Sequence, residues 1–160
     1  MMGAGKSTVG RLLAERLGRP FIDLDAEIET KAGCTVAELF AREGEDAFRD
    51  REAAALAETL ASPSPAVVAA GGGVVLREEN RDRLRSARVV WLRARPNTLL
   101  ARVSRSHHRP LLATDDRAGE VARLTEERAP FYEACADVVV DVDERGLDRV
   151  VDEVEKVLAS

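Results

Sequence analysis

A lysine and a serine stand side by side at positions 6 and 7, behind two glycines, in the stretch Met1-Met2-Gly3-Ala4-Gly5-Lys6-Ser7-Thr8. These are the residue types that hold a polyphosphate. Glycines let backbone N–H groups converge on phosphate oxygens with no Cβ in the way. A lysine reaches the β- and γ-phosphates, and a small hydroxyl beside it can hold Mg²⁺. Val9, Leu12, Leu13 and Leu17 follow at helical spacing until Gly18. The helix they predict would turn its positive N-terminal end toward the same phosphates. The stretch matches the second half of G-x-x-x-x-G-K-[ST]; the first glycine of that pattern would stand one residue ahead of Met1. Lysine recurs only at positions 31 and 156, so a lysine at the phosphate position is not what this arginine-rich composition delivers by chance. The alternative, a chance glycine-rich start ahead of a helix, loses ground as further partners accumulate downstream.

Four more groups could do chemistry. Phe21-Ile22-Asp23-Leu24-Asp25 reads as a short strand ending in acids, with Asp23 and Asp25 projecting to one side. Carboxylates at the carboxyl end of a strand in an open α/β sheet lie where ligands bind. They could hold Mg²⁺ through water or accept from a hydroxyl; Asp25 could instead cap a helix beginning at Ala26. Arg49 and Glu52 share a helix face. Spacing alone favours a solvated pair over the alternative, an Arg49 that faces a cleft and grips an anion bidentately. Gly71-Gly72-Gly73 ends an apolar run, and is either a close approach of backbone to a ligand or a flexible turn. Finally, Ser104 to Asp116 is polar and aperiodic, a candidate lid that would bring Arg109 over a phosphate site, with His107 and His108 as exposed lid residues.

The elements that must position these residues alternate. Residues 26–60 are helical in three pieces, divided at Gly33 and Gly44, with a capping box at Thr35-Val36-Ala37-Glu38 opening the second. Buried strands are expected at Ala66–Ala70, Val89–Leu92 and Val138–Val140, and helices at 78–85, from Pro96 to about Val103, from about Ala118, and from Gly146 to Leu158. Strands alternating with helices predict an α/β fold: a parallel sheet with helices on both faces. With 160 residues, 45% hydrophobic and 33% charged, the chain is one ordinary globular domain over 1–160. A net charge of −5 argues against wholesale nucleic-acid binding. Cys34 and Cys135 form neither a disulfide framework nor a metal spacing, and no apolar run approaches membrane-spanning length. The expectation is a soluble, cytoplasmic protein with no nucleic-acid or membrane partner.

Taken in order, Gly3-Ala4-Gly5-Lys6-Ser7-Thr8, Asp23-Leu24-Asp25, Phe48-Arg49, Gly71-Gly72-Gly73, Arg109-Pro110-Leu111-Leu112 and Arg128-Ala129-Pro130-Phe131-Tyr132 resemble the shikimate kinase family across essentially the whole chain. The resemblance implies a three-layer P-loop kinase fold with a lid at 104–116 and a substrate-binding helical region at 24–60. It implies transfer of the γ-phosphoryl group of ATP to the 3-hydroxyl of shikimate, in aromatic amino-acid biosynthesis, by a monomer. Lys6, Asp25 and Arg109 are the catalytic residues it suggests. ATP would be bound by Gly3, Ala4, Gly5, Lys6, Ser7, Thr8 and Arg109, with Arg102 and Arg145 lining the adenine pocket. Shikimate would meet Asp25, Arg49, Gly71, Gly72, Gly73 and Arg128, the two arginines on its carboxylate. Ser7 would bind one Mg²⁺, with Asp23 supporting it. The chemistry agrees, because phosphoryl transfer asks for positioning and positive charge around a developing anion.

The departure from the family lies at the start. The family sheet has five strands, and the first, together with the first loop glycine, would precede Met1. A lost central strand forfeits roughly 6–12 kcal/mol of apolar burial. The expectation is therefore that a chain starting at Met1 leaves its strands around a vacant place, and is less stable and less active than one extended upstream. A gluconate kinase would share the loop and sheet but not the paired Phe48-Arg49 and Arg128 motifs. A non-catalytic binding module would not need Lys6, Asp25, Arg49, Arg109 and Arg128 together.

Overall fold

The computed structural model describes residues 3–103 and 116–158. Eleven elements run in the order α1 (Lys6–Leu17), β1 (Phe21–Asp23), α2 (Leu24–Ala32), α3 (Val36–Ala61), β2 (Val67–Ala69), α4 (Glu78–Leu84), β3 (Val90–Arg93), α5 (Pro96–Val103), α6 (Arg117–Cys135), β4 (Val138–Asp141) and α7 (Leu147–Leu158). The alternation anticipated from the sequence is present, and its punctuation acts where expected. Gly33 closes α2 in the left-handed conformation. The capping box is formed from both sides: Thr35 N donates to Glu38 Oε2 at 2.7 Å and Glu38 N to Thr35 Oγ1 at 3.2 Å. Gly44 kinks α3 rather than ending it.

The strands pair in parallel, β1 with β2 (Phe21 opposite Val67, Asp23 opposite Ala69) and β3 with β4 (Val90 opposite Val138, Arg93 opposite Asp141). They make two two-stranded sheets, and among the described residues no strand joins β2 to β3. Between the inner edges lies a cavity of 440 Å³, lined by β2 and β3, by α1 through Val9 and Leu13, by α7 through Val154, and by Tyr132 of α6. It corrects the expectation of a fully buried strand over 66–70: Val67 and Val68 are only half-buried because they face the cavity.

The helices hold the two sheets together. α1 packs on β1, β2 and α7, and α7 packs on β4. α6 reaches β3 by laying Tyr132 on Trp91, ring centroids 5.3 Å apart. One continuous core joins Leu24, Leu39, Leu56, Leu99, Val140 and Val151, all at most 1% exposed. The layout is α/β with helices around short parallel strands, and the strand ends carry the loops that bear the candidate residues.

Candidate active site

The phosphate side is built by the first turn of α1. Gly5 is the N-cap, in the left-handed conformation at φ 88° that glycine adopts without a Cβ penalty. No side chain caps this helix and its first turn carries no acidic residue. The first intrahelical bond is Val9 N to Gly5 O at 2.9 Å, so the preceding N–H groups lie ahead of the helical ladder. Lys6 opens the helix among them, and Ala4 beneath is buried. Arg102 of α5 donates to the carbonyl of Gly3 at 3.4 Å and to that of Val142 at 3.2 Å, bringing its guanidinium against the loop.

Ser7 links this loop to the acidic strand end. Its hydroxyl donates to Asp23 Oδ2 at 2.7 Å, and Asp23 Oδ1 accepts from the backbone N–H of Asp25 at 3.2 Å. Asp23 therefore caps α2, and Asp25 lies in that helix's first turn. Two sequence expectations are corrected here. The strand stops at Asp23, so strand alternation does not align the two carboxylates, and the capping role considered for Asp25 belongs to Asp23. Freed from capping, the Asp25 side chain reaches toward Gly71: a Cβ there would lie 3.1 Å from Asp25 Oδ1 and 2.7 Å from Glu52 Oε1.

Beyond Gly71 lies a buried charged cluster. Arg49 Nη1 donates to Glu52 Oε2 at 2.8 Å, and its Nη2 donates to Glu45 Oε1 at 3.0 Å. Arg49 is 7% exposed and Glu52 fully buried. The solvated pair that spacing favoured is thus excluded, because α3 turns this face toward α2 and the glycine segment. A Cβ at Gly73 would lie 2.2 Å from Arg49 Nη1, so the guanidinium rests directly on the glycine backbone. The triplet begins a turn whose backbone packs closely on the side chains of Asp25, Glu52 and Arg49. The hydroxyl of Tyr132 donates to the carbonyl of Gly72 and fixes it from the other side. Arg128, one helical turn before Tyr132, is 3% exposed, and its Nε makes no hydrogen bond among the described residues.

Burial pushes the Glu52 carboxyl above the usual carboxylate range, against the pull of Arg49 and Arg128, and the Asp25 charge pushes the same way as burial. Burial alone would weaken the Arg49 guanidinium's hold on its proton; Glu52 and Glu45 outweigh it and hold Arg49 more firmly cationic. Burial pushes the Tyr132 phenol up to about 12, so at neutral pH it is a donor.

The structure brings most of the sequence candidates together. Ser7, Asp23, Asp25, Gly71, Glu52, Arg49 and Gly73 form a line of successive neighbours, and Lys6, Gly71 and Gly72 line the same cavity. Thr8 is exposed on α1. Arg145 is exposed and paired with Glu153 of α7. Arg109, with most of the expected lid, lies outside the described residues; Asp116 at its end caps α6 through Gly119 N at 2.8 Å. Sequence reasoning gave Glu52, Tyr132 and Glu45 no site role. Glu52 was visible as an Arg49 partner, but only its complete burial reveals its place; nothing in the spacing marked Tyr132 as the holder of Gly72.

A glycine-capped helix start, linked through a hydroxyl–carboxylate bond toward buried arginines, is the arrangement expected of a P-loop kinase acting on a small anionic acceptor. The family model described as shikimate kinase matches residues 2–159. A shikimate kinase of Symbiobacterium thermophilum is 50% identical over 157 residues, spanning 96% of this chain and 90% of that protein. One of Rhodopseudomonas palustris is 48% identical over 154 residues, spanning 96% of this chain and 75% of that protein. The solved shikimate kinase of Acinetobacter baumannii in complex with shikimate superposes with a TM-score of 0.95 at 36% identity, over 99% of this chain and 88% of that one. The chain belongs to the shikimate kinase family.

Proposed function

We propose that this protein transfers the γ-phosphoryl group of ATP to the 3-hydroxyl of shikimate. The observation that carries the reading is the line from the glycine-capped start of α1 through Ser7, Asp23 and Asp25, past Gly71 and Glu52, to the buried Arg49. A nucleotide held at the loop would then lie near Asp25 and near Arg49 and Arg128, whose guanidinium forks suit a carboxylate.

In this reading the N–H groups ahead of Val9 and the Lys6 ammonium hold the β- and γ-phosphates, with Arg102 beside the loop and Arg109 completing the charge from the lid. Arg145, paired to Glu153, would reach the nucleotide only by leaving that partner. Arg49 and Arg128 grip the acceptor carboxylate, Arg49 already immobilised by Glu52 and Glu45. A fork held still loses little entropy on binding. The Gly71–Gly73 backbone forms the floor, so the acceptor hydroxyl is turned to Asp25, which orients it and accepts its proton. In this reading residues 24–60 are the acceptor-binding region of one domain, and the protein works as a monomer. No described helix is long and apolar enough to cross a membrane.

Among the described residues no group of three or more His, Cys, Asp or Glu side chains could hold a metal. A hard hydroxyl oxygen and a carboxylate 2.7 Å apart at the loop do fit Mg²⁺, which takes few protein ligands and completes its shell with phosphates and water. Ser7 and Asp23 would hold it, and it would supply charge neutralisation at the phosphates.

The test is ADP release followed by coupled assay. Release that depends on shikimate and saturates with it is the expected result; release unaffected by shikimate, from folded protein, would overturn the reading.

A further inference from the structure

In the transfer just described Glu52 only holds Arg49 in place, yet it is the most completely buried ionisable group in the molecule's charged cluster. Its Oε2 accepts from Arg49, while its Oε1 has no hydrogen-bond partner among the described residues. The charged and titratable groups around it come from three elements. Arg49 and the half-exposed Glu45 share α3 with it, Asp25 faces it from α2 across Gly71, and Arg128 and the Tyr132 hydroxyl approach from α6. Glu45 is open to solvent and its charge is screened, and Tyr132 is neutral. The remainder is the buried Arg49, Arg128 and Glu52 with the half-buried Asp25, two arginines against two carboxylates.

An acceptor carboxylate placed on Arg49 and Arg128 adds a third negative charge beside the buried Glu52 and the half-buried Asp25. Burying an uncompensated charge is costly, and a carboxyl beside a like charge takes a proton instead. Of the carboxyls present, Glu52 is the one that loses most. The incoming anion competes for its arginine, and burial already favours its neutral form. Its Oε1, which makes no hydrogen bond among the described residues, is the oxygen left to take a proton.

We propose that Glu52 takes up one proton from solvent when a carboxylate substrate binds Arg49 and Arg128, keeping the buried cluster neutral with the substrate in place. This rests on the assignment of those arginines to the substrate carboxylate. The proton comes from a buffer acid, which leaves as its conjugate base, and the new O–H bond forms at Oε1. Glu52 is thereby a positioning residue: ionised it clamps Arg49 in the empty site, and protonated it releases the guanidinium's charge to the substrate. Affinity for the acid must then fall as pH rises, up to tenfold per pH unit in the interval between the free and bound pKa values of Glu52.

The experiment is calorimetric titration of shikimate into the whole protein at neutral pH, in two buffers of different ionisation enthalpy, repeated across a pH series. Apparent enthalpies that differ between buffers in the direction of proton uptake, approaching one proton per site, with Kd rising with pH, are expected. In Glu52→Gln, which keeps an acceptor for Arg49, the uptake and the pH slope should vanish while binding persists. Uptake undiminished in a Glu52→Gln variant that folds would overturn the assignment to Glu52. The wild-type titrations decide even if that variant does not fold: binding with no buffer dependence and a flat Kd overturns the proposal alone. Absence of any binding instead removes the carboxylate reading of the pocket, and this proposal with it.

Discussion

Replacing Gly73 by alanine isolates the pocket's central contact. Gly73 is not in the left-handed region, so alanine's backbone is unstrained there and the whole effect is steric. Its Cβ would lie 2.2, 2.3 and 2.4 Å from Nη1, Cζ and Nη2 of Arg49, well inside van der Waals contact. The glycine segment is held by Tyr132 at Gly72 and by the turn bonds Val74 N to Gly71 O (3.2 Å) and Leu76 N to Gly73 O (3.0 Å), so the arginine must give way. Moving it breaks the 2.8 Å bond to Glu52 and leaves that carboxylate buried and unpaired. Losing a charge-assisted grip costs about 1.5–3 kcal/mol, which is a rise of about 10- to 150-fold in KM for shikimate. The orphaned Glu52 costs folding stability of about 3 kcal/mol, a fall in Tm of about 6–12 °C. KM for ATP should stay within about twofold, because additivity holds for groups with no shared partner. Steady-state kinetics with each substrate varied, alongside thermal melting, measures all three. A variant with wild-type shikimate KM and wild-type Tm would refute the placement of Arg49 on Gly73.

Lys6→Ala should remove most turnover while sparing shikimate binding, seen by comparing kcat with the calorimetric Kd; equal loss of both would make the lysine structural. Arg49→Lys and Arg128→Lys should each raise KM for shikimate far more than that for ATP, by roughly 1–3 kcal/mol as the fork is lost and the charge kept. Asp25→Asn should lower kcat about 100-fold or more if Asp25 accepts the hydroxyl proton, and near-normal kcat would demote it. Tyr132 is the chain's one tyrosine, so phenolate absorbance reads it directly. Its folded pKa is raised, so its contribution to stability is complete below the unfolded value of about 10 and is lost as pH climbs toward about 12; a midpoint near 10 in folded protein would contradict its burial.

The sequence made the periodic and the short-range features legible. Gly33, the Thr35–Glu38 box and Gly44 each act where their chemistry says, because caps and left-handed turns are decided within a few residues. The helix from Lys6 to Leu17, closed by Gly18, was readable for the same reason. What spacing could not settle was which way a helix face turns. Arg49 and Glu52 look like any solvated pair until α2 and the glycine triplet close over them. Asp25 looked like a strand residue because the helix begins two residues earlier than its cap pattern suggested, with Asp23 taking the cap. The bond from Tyr132 to Gly72 crosses 60 residues of chain, and no local pattern encodes it.

The most direct measurement is the structure of the product formed from ATP and shikimate, read by phosphorus–proton correlation NMR. The account predicts one new phosphate ester, its phosphorus coupled to the proton on C3 of shikimate, formed one for one with ADP. Phosphate on a different oxygen, or inorganic phosphate alone while shikimate stays intact, would contradict it.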